Sequence, residues 1–146
     1  MSLRELYQEM IIDHGRHPRH FGVLAEANHQ KNGHNPLCGD KLFVTLIEKD
    51  NVIIDVKFEG VGCAISVASA SLMCEAIKGK TRDEVAHLFH DFHTLVTTGA
   101  QPEADLGKLA VFAGVFEFPA RVKCASLAWH TLSAALDDVT DAVSTE

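Results

Sequence analysis

The sequence is short of positive charge. Thirteen Lys and Arg stand against 20 Asp and Glu in 146 residues, a formal charge of -7 at pH 7. A protein that grips duplex nucleic acid nonspecifically needs a cationic surface to displace counterions, so no nucleic-acid partner is expected. The chain also lacks any apolar run near the ~20 residues that cross a bilayer. Its opening Met1-Ser2-Leu3-Arg4-Glu5 lacks the basic stretch and apolar core of a secretion signal. No membrane partner is expected, and the cytoplasm is the expected compartment. Cysteines number only four, whereas Leu, Ile, Val and Phe make up 42 residues, enough to build a core without disulfide staples. The length indicates one domain, 1–146. In a reducing compartment, Cys38, Cys63, Cys74 and Cys124 then read as metal or sulfur chemistry.

Ser2 and Glu5 have capping-box spacing, and Leu3, Leu6, Tyr7, Met10 and Ile11 follow at helical period until Gly15. Residues 15–40 hold four of the ten glycines, two of the four prolines and His17, His20, His29 and His34, with no sustained period. They read as a long loop. From Lys41 two alternating runs flank the turn pair Asp50-Asn51, which predicts an antiparallel hairpin. Gly60-Val61-Gly62 ends it, and an Ala- and Ser-rich helix follows, closing on Gly79. Thr81-Arg82-Asp83-Glu84 opens another helix, with Val85, Leu88, Phe89, Phe92 and Leu95 on its apolar face. Residues 97–108 read as loop, Leu109–Val115 is an apolar piece of undefined type, and Pro119 begins a last helix before an acidic, polar tail. Helix, strands, then helices indicate α+β.

Cys38 lies in Asn35-Pro36-Leu37-Cys38-Gly39-Asp40, where a thiol and a carboxylate flank one glycine. They can curl around one cation, or be a loop thiol beside a turn Asp. Cys63 stands between a glycine turn and a helix start, which favours thiolate. Cys124 follows Arg121 and Lys123 in the first turn of the last helix, so cations and helix dipole are expected to lower its pKa. Cys74 differs: eleven residues of helix at ~1.5 Å each place it ~16 Å from Cys63, too far to share an ion, so it reads as a buried small hydrophobe. His130 is about 240° around the helix and ~9 Å along it from Cys124, which excludes a shared ion. His87, His90 and His93 form a partly solvated stripe, and His34 is an alternative to Asp40 as a fourth ligand.

The Cys38 hexapeptide, Phe58-Glu59-Gly60-Val61-Gly62-Cys63-Ala64-Ile65-Ser66 and Pro119-Ala120-Arg121-Val122-Lys123-Cys124-Ala125 stand in order along the chain. Leu6-Tyr7-Gln8-Glu9 through Asp13-His14 precede them, with Pro18 and Gly22 beyond. Together they resemble the NifU N-terminal / IscU / SufU family of iron-sulfur assembly proteins over essentially the whole chain. The SufU type is the nearer. Phe118-Pro119-Ala120-Arg121 stands where IscU proteins carry the Leu-Pro-Pro-Val-Lys bound by an Hsp70 chaperone, and Lys123 stands where they carry a His. The 60 residues between Cys63 and Cys124 suit the longer SufU spacing, with the insertion at about residues 97–116.

The resemblance implies a small antiparallel sheet of about three strands packed against several helices. It implies a Zn²⁺ site of Cys38, Asp40, Cys63 and Cys124, with Cys38 as persulfide acceptor, and a cysteine desulfurase of the SufS type as partner. Downstream Suf-type assembly proteins would take the sulfur, so the chain reads as a sulfur carrier rather than a stand-alone enzyme. Three thiolates and a carboxylate suit tetrahedral zinc. Arg121 and Lys123 lie beside the set in sequence and could offset part of its negative charge. Two other readings stand beside this one: a scaffold holding Fe²⁺ or a [2Fe-2S] cluster on the same residues, and a domain whose zinc only stabilises the fold.

Overall fold

The computed structural model describes residues 2–102, 105–137 and 143–144. Helix α1 (Leu3–Arg16) starts at Ser2, whose hydroxyl accepts the Glu5 N–H at 3.2 Å. It lays Tyr7, Met10 and Ile11 on the core and buries His14, whose Nδ1 lies 2.8 Å from Ser71 Oγ.

Strands β2 (Asp40–Lys49) and β3 (Val52–Val61) form the expected hairpin. Asp50 and Asn51 take φ of 53° and 66°, the paired positive values that match a two-residue turn to strand twist. Alternation then turns Leu42, Val44 and Leu46 inward, with Val44 opposite Phe58 and Leu46 opposite Val56.

The segment read as loop between residues 15 and 40 contains a strand, β1 (His29–Asn35), paired antiparallel with β2. Its inward residues are Lys31, Gly33 and Asn35, so no apolar alternation announces it. Gly33 lies directly under the last helix: a Cβ there would run into Thr131 Oγ1. The two-residue β4 (Val143–Ser144) pairs parallel with β1, giving the order β3-β2-β1-β4.

Helices α2 (Ala64–Ile77) and α4 (Pro119–Leu136) are buried over most of their length, which explains their small residues: Ser69 Oγ donates to the Ala125 carbonyl at 2.6 Å between them. Helix α3 (Arg82–Thr98) opens with the expected Thr81/Glu84 capping box. It stacks Phe92 on Trp129, with ring centroids 4.8 Å apart. The apolar piece of undefined type is part of two 3-10 turns, Gly107–Phe112 and Val115–Glu117, which bury Leu109, Val111, Phe112 and Val115. Residues 103–104 of the expected insertion and most of the acidic tail lie outside the described residues. No helix among those described is long and apolar enough to cross a membrane.

Candidate metal centre

Three element boundaries meet at one end of the sheet. The turn between β1 and β2 carries Cys38, with Gly39 at φ 70° letting the chain reverse so that Asp40 begins β2. The glycine break after β3 delivers Cys63 as the N-cap of α2, where its sulfur accepts the Ser66 N–H at 3.4 Å. Pro119 starts α4, and Cys124 comes in its second turn.

Cys38, Asp40 and Cys124 each offer a ligand atom, and these atoms all lie within 4.8 Å of one another. Cys124 donates its S–H to Cys38 Sγ at 3.1 Å. Two sulfurs held by one tetrahedral zinc would lie about 4 Å apart, so the set is compact enough to share an ion. Cys63 stands outside that tight group but still acts on Cys124. Its own backbone N–H donates to Asp40 Oδ1 at 2.8 Å.

Asp40 is fully buried, a costly position for a carboxylate unless it is paired. Besides the Cys63 N–H it receives Asn35 Nδ2 on Oδ2 at 3.3 Å. The same amide nitrogen donates to Cys124 Sγ at 3.5 Å. Gly62 makes room for the carboxylate, since a Cβ there would stand 2.7 Å from Asp40 Oδ1. Asn35 Oδ1 and the Ser66 and Ser126 hydroxyls are buried without a hydrogen-bond partner. The orphaned Asn35 Oδ1, on the amide that contacts Asp40 and Cys124, together with a thiol, thiol and carboxylate donor set, fits a centre built for a cation.

The electrostatics of Cys124 reverse the sequence expectation. Burial pushes its thiol up, and the proximity of Cys38, Asp40 and Cys63 adds to the shift. Of the expected cations, the Arg121 guanidinium lies over the Phe118 ring, 4.8 Å from its centroid. Burial between α4, α2 and the sheet outweighs the helix-start position.

Cys74 is fully buried in α2, and burial raises its pKa as well. It belongs to the core. His34 is exposed on the opposite face of β1 from Asn35 and is not part of the group. His87, His90 and His93 are exposed on α3; His93 and Phe89 pack against His130 with centroids 6.1 and 5.2 Å away. Among the described residues no histidine joins a metal-competent cluster. The residue that sequence reasoning passed over is Asn35, whose inward direction becomes visible only once β1 is known to be a strand.

This arrangement has relatives. A family model for the NifU-like N-terminal domain matches residues 6–125. The chain is 39% identical over 132 residues to the zinc-dependent sulfurtransferase SufU of Bacillus subtilis, covering 90% of this chain and 89% of that protein. It is 37% identical over 139 residues to the iron-sulfur cluster assembly scaffold protein IscU of Thermotoga maritima, covering 95% and 98%. A solved structure from Fervidobacterium islandicum, named as a scaffold protein for the SUF system, matches with a TM-score of 0.84 and 36% identity over 92% of this chain and 99% of that one. With its cysteine-bearing turns and helix starts all inside the matched span, the chain belongs to the NifU-like N-terminal domain family.

Proposed function

We propose that this protein is a zinc-dependent sulfur carrier in iron-sulfur cluster assembly, receiving sulfur from a cysteine desulfurase of the SufS type and passing it to Suf-type assembly proteins. Cys38, Asp40, Cys63 and Cys124 would hold Zn²⁺. When bound, the metal would keep the thiols deprotonated near neutral pH and mask the acceptor until it is released. Arg121 and Lys123, at the start of the helix that carries Cys124, would add positive charge near the site, with the Arg121 guanidinium resting on Phe118.

The observation that carries the reading is the contrast between Cys38 and Cys124. Cys124 is 1% exposed on a helix, while Cys38 is exposed on a glycine-flanked turn. Of these two, only Cys38 can be reached by a partner's persulfide without unpacking the core, and Cys38 is more exposed than the half-buried Cys63. Its thiolate attacks the outer sulfur of the enzyme's S–SH group. A new S–S bond forms to Cys38, the old one breaks, and the enzyme's cysteine leaves as a thiolate.

Desulfurase activity on cysteine, followed as alanine released, tests this. Stimulation by the wild-type protein and its loss in Cys38→Ala are expected; stimulation undiminished by that change sinks the reading. The second reading, a [2Fe-2S] scaffold on the same residues, is favoured by the names of the IscU relatives. It predicts a brown protein after anaerobic reconstitution and an Asp40→Ala variant that keeps its cluster longer.

A further inference from the structure

The side chain of Asn35 is fully buried at the end of β1 and spends its amide nitrogen on two acceptors, Asp40 Oδ2 at 3.3 Å and Cys124 Sγ at 3.5 Å. An amide nitrogen has two protons, so its donor capacity is used up on the ligand residues. Its Oδ1 is buried with no partner. A leucine of similar volume would remove the orphaned Oδ1 but would strip buried Asp40 Oδ2 of its donor, so the amide is kept for the ligand residues it serves rather than for its own fit.

We infer that Asn35 is the positioning residue that fixes Asp40 and Cys124 as the immobile half of the metal centre, and so determines that Cys38 is the ligand that exchanges. Asp40 is held from both sides, by Asn35 and by the Cys63 N–H at 2.8 Å. Cys124 is held by its helix and by the same amide. Cys38 has neither restraint: it is exposed, and its sulfur accepts a hydrogen bond from Cys124. Turning the amide over would bring Oδ1 to face a carboxylate and a sulfur, stacking acceptor against acceptor. The donor orientation is therefore the one the anionic form of the pair selects.

The inference rests on the metal-binding reading above, and Co²⁺ separates the two. Wild-type, Asn35→Leu and Asn35→Ser proteins are loaded with Co²⁺, and the sulfur-to-cobalt absorption is followed as a chelator removes the metal; the melting temperature of each metal-free protein is measured alongside. Loss of a partner that orients metal ligands weakens retention about 10- to 100-fold. Release is expected to accelerate by that factor in Asn35→Leu and by less in Asn35→Ser, which keeps one donor. The metal-free Asn35→Leu protein should melt lower than wild type, because buried Asp40 Oδ2 loses its donor. The d–d bands of the bound Co²⁺ separate positioning from packing: loss of ligand positioning shifts them, and a role confined to packing leaves them as in wild type. Release within twofold of wild type in Asn35→Leu, or unchanged bands, overturns the inference. If Asn35→Leu does not fold, Asn35→Ser decides on the same two readouts: faster release with shifted bands supports it, and release within twofold or unchanged bands overturns it. A wild-type protein that takes up no Co²⁺ overturns the metal reading and this one with it.

Discussion

The sulfurs of Cys38 and Cys124 lie 3.1 Å apart although 86 positions separate them in the chain. One is exposed and the other buried, so the pair joins the surface of the protein to its interior.

That proximity predicts a specific oxidation. Treating metal-free protein with hydrogen peroxide should convert one thiol to a sulfenic acid, which the other displaces, giving a Cys38–Cys124 disulfide and two waters per peroxide consumed. Intact mass should fall by about 2 Da, and peptide mapping should find these two residues linked while Cys74 stays a thiol. Bound metal should protect both. A disulfide to Cys74 in folded protein would contradict the geometry.

Asp40 predicts the effect of a change at a residue that bears no ligand. In Gly62→Ala the new Cβ would stand 2.7 Å from Asp40 Oδ1 and displace the carboxylate. Metal affinity should fall about 10- to 100-fold. Competition with a chromophoric chelator measures it, and circular dichroism should show the helices retained.

Cys74 predicts inertness. It is fully buried, with its thiol pushed up by burial first and by Asp55 and Glu75 after that. Iodoacetamide should label it only in denaturant. Cys74→Ala should cost roughly 1 kcal/mol and Cys74→Ser more, about 1 to 3 kcal/mol, because a hydroxyl is then buried without a partner. Urea midpoints check the order, and sulfur acceptance from the desulfurase should be unchanged in both.

Two histidines predict a pH dependence of stability. His14 is depressed by burial and next by Arg19, and His130 by burial and next by His93. Both native values therefore lie below the unfolded value of about 6.5. Above that pH neither state carries the proton and the stability is complete. As pH falls below it the unfolded chain protonates first, so stability drops until the native values are passed. Each group contributes a slope of at most about 1.4 kcal/mol per pH unit. Urea midpoints should fall between pH 7 and 5, and His14→Gln with His130→Gln should flatten the curve. Asp13, Glu48 and Glu84, held low by hydrogen bonds to Arg19, Arg82 and Thr81 respectively, lose their contribution only below about pH 4.5.

The ends of elements were the legible part of this protein. Ser2, the Asp50-Asn51 turn, the Thr81 capping box and Pro119 are local devices whose chemistry acts within a few residues, and each stands where its type demands. Cys38, Asp40 and Cys124, which the structure brings together, were legible too: they stand at a turn, a strand start and near a helix start, where the sequence marks them by the glycine and proline beside them. Strand β1 was not, because its inward residues are shaped by what lies above them: Thr131 over Gly33, and Asp40 and Cys124 beside Asn35. The raised pKa of Cys124 was equally hidden, because its neighbours Cys38 and Cys63 lie 86 and 61 positions upstream. Helix position argued for a thiolate, and only the tertiary packing argues against it.

The order in which the ligand residues occur along the chain carries a consequence for synthesis. Cys38, Asp40 and Cys63 are made within a short interval, but 60 residues separate Cys63 from Cys124. At about 5 to 20 residues per second, a ribosome takes roughly 3 to 12 seconds over that stretch. During those seconds the nascent chain presents two thiols and a carboxylate without the helix that completes them. A full set of donors exists only once α4 has emerged from the exit tunnel and docked.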